Sequence, residues 1–173
     1  MDKSNIVISG FMASGKTTVG TLLAGITGMA LVDTDALVEQ ETGRAIKEIF
    51  AFDGEAVFRG LERQIIARES AREGVVMAVG GGAVLDPENV RALKARGVIY
   101  FLEVSPEEVV SRVLEGDDRP LLSEDEAGIE SLMEARDPAY RRAADFVVIT
   151  TGQGPGEVAG VIAADFESRR PGA

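Results

Sequence analysis

Asn5-Ile-Val-Ile-Ser9 is a short apolar run that leads straight into Gly10-Phe-Met-Ala-Ser-Gly15-Lys16-Thr17, after which Val19, Leu22, Leu23 and Ile26 recur at helical spacing. The succession predicts a strand, a turn and a helix. The turn fits G-x-x-x-x-G-K-[ST], in which consecutive backbone N–H groups wrap a β-phosphate and the positive end of the following helix faces its charge. Lys16 adds a point cation and Thr17 offers a hydroxyl to Mg²⁺. The stretch therefore reads as a nucleoside triphosphate site and as the first half of a βαβ unit.

The same alternation continues along the chain. Ala30–Asp33, Val75–Val79, Val98–Val104 and Phe146–Thr150 are β-branched or apolar runs separated by segments of helical period, which predicts five buried parallel strands with crossover helices. Asp86-Pro87-Glu88 and Ser105-Pro106-Glu107-Glu108 combine a cap residue, Pro in the first turn and early carboxylates, the signature of a helix start. Between the second and third strands two consecutive helices are expected, at 45–52 and 55–72, where a single crossover helix would suffice. An inserted substructure is implied. From Glu115 to Ala127 the chain turns to Gly, Asp, Glu and Arg, with only Leu121-Leu122 apolar, and reads as a flap.

Composition narrows the function. With 173 residues, 45% apolar and 27% charged, the chain suits one compact α/β domain. It has no Cys and no His, so disulfides and thiolate metal sites are absent and acid–base chemistry falls to carboxylates or Lys. A net charge of −11 argues against nucleic acid as a partner, since a phosphate backbone needs a basic face. No run is long and apolar enough to span a membrane, and the protein is expected to be soluble and cytoplasmic. A small anion would need a locally basic pocket.

Several residues stand out as candidates, each with a plainer reading beside it. Asp33-Thr34-Asp35 lies where the second strand ends, the sheet edge at which ligands collect. Asp33 could hold the water shell of Mg²⁺ and Asp35 could receive a substrate hydroxyl, or one of them simply caps the next helix. Gly80-Gly81-Gly82 lets backbone amides approach a ligand, or makes a tight turn. Only four of the 18 basic residues are Lys, and Arg suits bidentate grips on carboxylate and phosphate. Arg119, before Pro120 in the flap, could close onto a transferring phosphoryl group; Arg59 and Arg136 could equally be members of surface ion pairs.

Taken in order, residues 10–20, Asp33-Thr34-Asp35, Gly43–Phe50, Gly54–Glu62, Val79–Leu85, Arg119-Pro-Leu-Leu122 and Glu134–Tyr140 resemble the shikimate kinases over nearly the whole chain. The resemblance implies a nucleoside-monophosphate-kinase-like three-layer sandwich with strand order 2-3-1-4-5. It implies a substrate-binding insertion at about 34–62 and a lid at about 114–126. The activity implied is transfer of the ATP γ-phosphoryl to the 3-hydroxyl of shikimate, in the shikimate pathway of aromatic amino acid biosynthesis, with Mg²⁺ as cofactor, by a monomer.

Carried over by position, the resemblance sets the shikimate carboxylate against Arg59 and Arg136 and its hydroxyls against Asp35 and the Gly80-Gly81-Gly82 backbone. ATP phosphates fall on Ala13, Ser14, Gly15, Lys16, Thr17 and Thr18, and Mg²⁺ near Thr17 and Asp33. Arg119 covers the phosphates, Arg112 lies by the nucleotide and Gln153 faces adenine. Lys16, Asp35 and Arg119 are then the catalytic groups. The chain departs from the family at Ala13, where Gly is usual, and the backbone there is expected to have no strict need of a positive φ. Two rival readings are a kinase of another polyol acid such as gluconate, which lacks the paired Arg59 and Arg136, and a non-catalytic nucleotide-binding relative. A GTPase is disfavoured, because neither Asn5 nor Asn89 opens an N-K-x-D motif.

Overall fold

Strand β1 (Asn5–Gly10) is buried at every residue, because it lies mid-sheet with a parallel neighbour on each side: Ile6 is in register with Val76 on one and with Val98 on the other. The computed structural model describes residues 3–115 and 126–169, with the backbone alone at 113–115 and 126. After β1 come α1 (Lys16–Thr27), β2 (Ala30–Asp33), α2 (Thr34–Thr42), α3 (Ile46–Phe52) and α4 (Glu55–Ser70). Then follow β3 (Val75–Ala78), a 3-10 turn (Ala83–Leu85), α5 (Pro87–Arg96), β4 (Gly97–Glu103) and α6 (Pro106–Glu115). The chain ends in α7 (Glu126–Ala143), β5 (Phe146–Ile149) and α8 (Pro155–Ser168). The five described strands form one parallel sheet in the order β2-β3-β1-β4-β5, as expected.

Strand periodicity sorts the side chains into two cores. Ile6 and Ile8 point to the face covered by α1 and α8, against Val19, Leu23, Ala159 and Ile162. Val7, one residue out of phase, joins Met77, Ile66, Leu93 and Ile129 on the other face. Each such fully buried aliphatic side chain contributes about 1.5–3 kcal/mol. Helices on both faces of a parallel sheet make the three-layer sandwich. Asn5, also buried, is kept in register at the foot of β1 by donating to the Arg72 carbonyl (2.8 Å) and accepting from the Val75 amide (3.2 Å).

The insertion after β2 has a core of its own. Val38, Ile49, Phe58 and Ile65 are buried together, with the Phe50 and Phe58 rings 4.8 Å apart. Leu37 packs against both this cluster and the main core.

Both helix starts are where the cap residues put them: Asp86 accepts from the Glu88 amide at 2.8 Å ahead of Pro87, and α6 begins at Pro106. Two expectations need correction. The insertion contains a third helix, α2, whose charged surface leaves only Thr34 and Val38 buried, too thin a stripe to be read as a period. The outer strands β2 and β5 are only partly buried, since each has one neighbour. Helices α6 and α7 run into the two ends of the expected flap, and the rest of it, Arg119 included, lies outside the described residues. Among the described residues no helix is long and apolar enough to cross a membrane.

Candidate active site

The loop after β1 runs into the N-terminus of α1 through Gly15, at φ 88°. Lys16 at the first helical position donates from Nζ to the Gly10 (3.0 Å) and Phe11 (2.7 Å) carbonyls. The ammonium is thus packed against the loop. Burial lowers its pKa to about 8, against the opposing pull of Asp35 and then Asp33.

Ala13 overturns the sequence-based expectation. It is the non-glycine residue at positive φ (58°) among the described residues, so the loop does require the left-handed region there and alanine adopts it under strain. Its carbonyl accepts from Arg112 Nη1 at 3.0 Å. Ala13→Gly is expected to raise the unfolding free energy by about 1 kcal/mol. Tm should rise by about 2–4 °C. A thermal melt with no gain or a loss refutes the strain.

Asp33 divides its two carboxylate oxygens between the start of α2 and Thr17. Its Oδ1 caps α2 by accepting from the Asp35 and Ala36 amides (both 3.1 Å), while Oδ2 accepts from Thr17 Oγ1 at 2.7 Å. Hydroxyl and carboxylate oxygens side by side next to a phosphate loop suit a hard divalent cation that keeps most of its waters. No cluster of three or more potential metal-ligating side chains exists among the described residues, so an all-protein cage is not what these residues offer.

Two residues on, Asp35 Oδ1 is buried without a hydrogen-bond partner among the described residues. It faces Gly80: a Cβ there would lie 2.6 Å from Asp35 Oδ1 and 2.6 Å from Glu62 Oε1. Only glycine admits both carboxylates. Burial raises the Asp35 pKa, opposed chiefly by the Lys16 cation. Glu62, 1% exposed, is likewise raised by burial and held back by Arg59, whose Nη1 donates to Glu62 Oε2 at 2.8 Å. Arg59 also donates to the exposed Glu55 (3.1 Å), lies over the Phe58 ring and sits against Gly82, where a Cβ would meet its guanidinium at 2.4 Å.

Arg136, on α7, reaches the same region, its guanidinium 5.8 Å from the Phe11 ring centroid. Burial raises the pKa of the Tyr140 phenol, opposed by Arg136 and then Arg59. The structure therefore brings Lys16, Asp35, Arg59, Arg136 and Gly80–Gly82 together at one end of the sheet. On the other side of the loop, Ala13, Gly15, Thr18, Arg112, Gln153 and Pro155 line a cleft of about 410 Å³. Glu108 ties this side together, accepting from Arg112 Nη2 (2.8 Å) and from the Gly152 amide (2.9 Å).

Known proteins resemble this chain along most of its length. The shikimate kinase family model matches residues 12–167. The chain belongs to the shikimate kinase family. A shikimate kinase of Caldicellulosiruptor saccharolyticus is 46% identical over 148 residues, covering 84% of this chain and 86% of that protein. The solved shikimate kinase of Acinetobacter baumannii, in complex with shikimate, superposes with a TM-score of 0.90 at 34% identity, covering 95% and 93% of the two chains. A gluconokinase of Sinorhizobium meliloti shares the fold alone, with a TM-score of 0.57 at 17% identity. Shikimate kinase activity, an ATP-dependent phosphotransfer serving aromatic amino acid biosynthesis, is accordingly the activity of this chain.

Sequence reading missed Glu62, Thr34 and Tyr140 of this shikimate kinase. Glu62 carried a usable signal, an acidic residue set among Leu61, Ile65 and Ile66 on the core-facing side of α4. Thr34, whose Oγ1 accepts from the Gly80 amide at 3.0 Å, and Tyr140 are recognisable only once distant segments meet.

Proposed function

We propose that the acceptor is held between Arg59 and Arg136, which grip the shikimate carboxylate, and Asp35 with the Gly81 and Gly82 amides, which take its hydroxyls, the Gly80 amide being taken by Thr34. ATP lies along Ala13–Thr18 with its base toward Arg112 and Gln153. The observation that carries this reading is the buried Asp35 Oδ1, unpartnered among the described residues and subject to both the Lys16 and the Arg59 cations. A carboxylate kept dry and unpaired is costly unless a ligand donor satisfies it.

In the reaction the 3-hydroxyl oxygen attacks the γ-phosphorus as the bond to the β–γ bridging oxygen breaks, releasing ADP. Asp35 orients the hydroxyl and accepts its proton, a role that falls to a carboxylate in a chain without His. Lys16 stabilises charge on the transferring group, and positioning does most of the rest. Bound beside Thr17 and Asp33, Mg²⁺ would neutralise charge on the phosphate oxygens. The family pattern adds Arg119, outside the described residues, as a further cation. The working unit proposed is a monomer acting in the cytoplasm, where ATP is available.

Arg59→Lys tests the acceptor assignment, because it keeps the charge but loses the planar fork. The KM for shikimate is expected to rise by about 10- to 100-fold, the equivalent of about 1.4–2.8 kcal/mol, with the KM for ATP unchanged. A shikimate KM within threefold of the unmutated enzyme would overturn it.

A further inference from the structure

The backbone groups of Gly80–Gly82 can be accounted for one by one. The Gly80 amide donates to Thr34 Oγ1, the Gly80 carbonyl accepts from the Ala83 amide (3.0 Å) and the Gly82 carbonyl from the Leu85 amide (3.1 Å). The Gly81 carbonyl accepts from the Tyr140 hydroxyl. The amides of Gly81 and Gly82 are left with no partner among the described residues, and Gly82 is itself buried, where an amide is almost always paired.

Tyr140 is well placed to aim one of them. It is 2% exposed and stacked on Phe101, ring centroids 5.0 Å apart at 9°, so its ring has one position. The peptide between Gly81 and Gly82 is planar and trans, which makes the Gly81 C=O and the Gly82 N–H point in opposite directions. A hydroxyl that fixes the carbonyl therefore fixes the amide. Gly82 is also the residue packed against the Arg59 guanidinium. Glycine has no side chain to resist rotation of this peptide, so the restraint has to come from outside the loop.

We infer that Tyr140 is a positioning residue for acceptor binding: its hydroxyl holds the Gly81–Gly82 peptide so that the Gly82 N–H faces the substrate beside Arg59. The inference rests on the acceptor site proposed above. Tyr140→Phe keeps the ring, its burial and its stacking and removes the hydroxyl, with its contacts to the Gly81 carbonyl and to Arg136.

The variant is expected to raise the KM for shikimate about five- to tenfold, the weight of one well-aimed hydrogen bond. kcat and the KM for ATP should stay within twofold. A merely structural loss would instead lower the active fraction, and with it the apparent kcat, leaving both KM values alone. A shikimate KM within twofold, or an ATP KM rising in parallel, overturns the inference. Amide hydrogen exchange on the unmutated enzyme gives a reading that needs no variant: shikimate should slow exchange at Gly82, and an amide already protected without shikimate overturns the inference. No protection anywhere in Gly80–Gly82 would sink the acceptor site itself, whereas protection at Gly82 with an unaltered Tyr140→Phe KM sinks only the role of Tyr140.

Discussion

Asp35→Asn is expected to lower kcat by about 10²- to 10⁴-fold, the range lost with a positioned acid–base group, while the KM for ATP stays within threefold. The substitution preserves shape. It replaces the oxygen facing Gly80 by a group that either donates or accepts weakly, and it leaves the cleft lined by Arg112 and Gln153 untouched. Because burial raises the Asp35 pKa, kcat/KM for shikimate in the unmutated enzyme should fall as pH drops through a value above the ordinary carboxylate range. That acid limb should flatten in the variant. A kcat within threefold of the unmutated enzyme would remove Asp35 from the chemistry.

Lys16→Ala is expected to cost about 10²- to 10³-fold in kcat, as removal of one preorganised cation or donor does elsewhere, with no fall in Tm. Both halves of the expectation come from the same burial. With its pKa lowered to about 8 from 10.5, Lys16 releases its proton in the folded state before it would in the unfolded one. Between those values the unfolded state binds more protons, so the contribution of Lys16 to stability improves as pH rises through that window and is at its most unfavourable below about 8. Catalysis runs the other way: kcat/KM for ATP should decline as the free enzyme is taken above about pH 8 and the cation is lost. Asp35 raises the Lys16 pKa, so in Asp35→Asn the alkaline limb should move to lower pH. A Lys16→Ala enzyme with a kcat loss below tenfold, or an alkaline limb that ignores Asp35, would contradict this account.

The donor half was legible because its information is local. Strand, glycine turn and helix follow one another within residues 5–27, and the chemistry of the loop is carried by its backbone. Helix starts at Asp86 and Pro106 were legible for the same reason. The acceptor half is assembled from α2, α4, α7 and the Gly80–Gly82 turn, segments far apart in the chain, so the roles of its arginines came from resemblance. Local reading failed where two demands meet in one residue. Asp33 read as a choice between capping and binding, but the carboxylate has two oxygens: one caps α2 and the other accepts from Thr17. Ala13 looked undemanding because its identity says nothing of the φ its neighbours impose.

The separate core of the inserted helices has a further consequence. Val38, Ile49, Phe58 and Ile65 are buried together and meet the main core through Leu37 and through Ile66 of α4, so the wall that surrounds the acceptor can be re-contoured at those four positions while Leu37 and Ile66 keep their places against the sheet beneath the nucleotide. Acceptor preference is in that sense a detachable property of this architecture, retunable in α2–α4 while the phosphate-handling machinery is inherited unchanged.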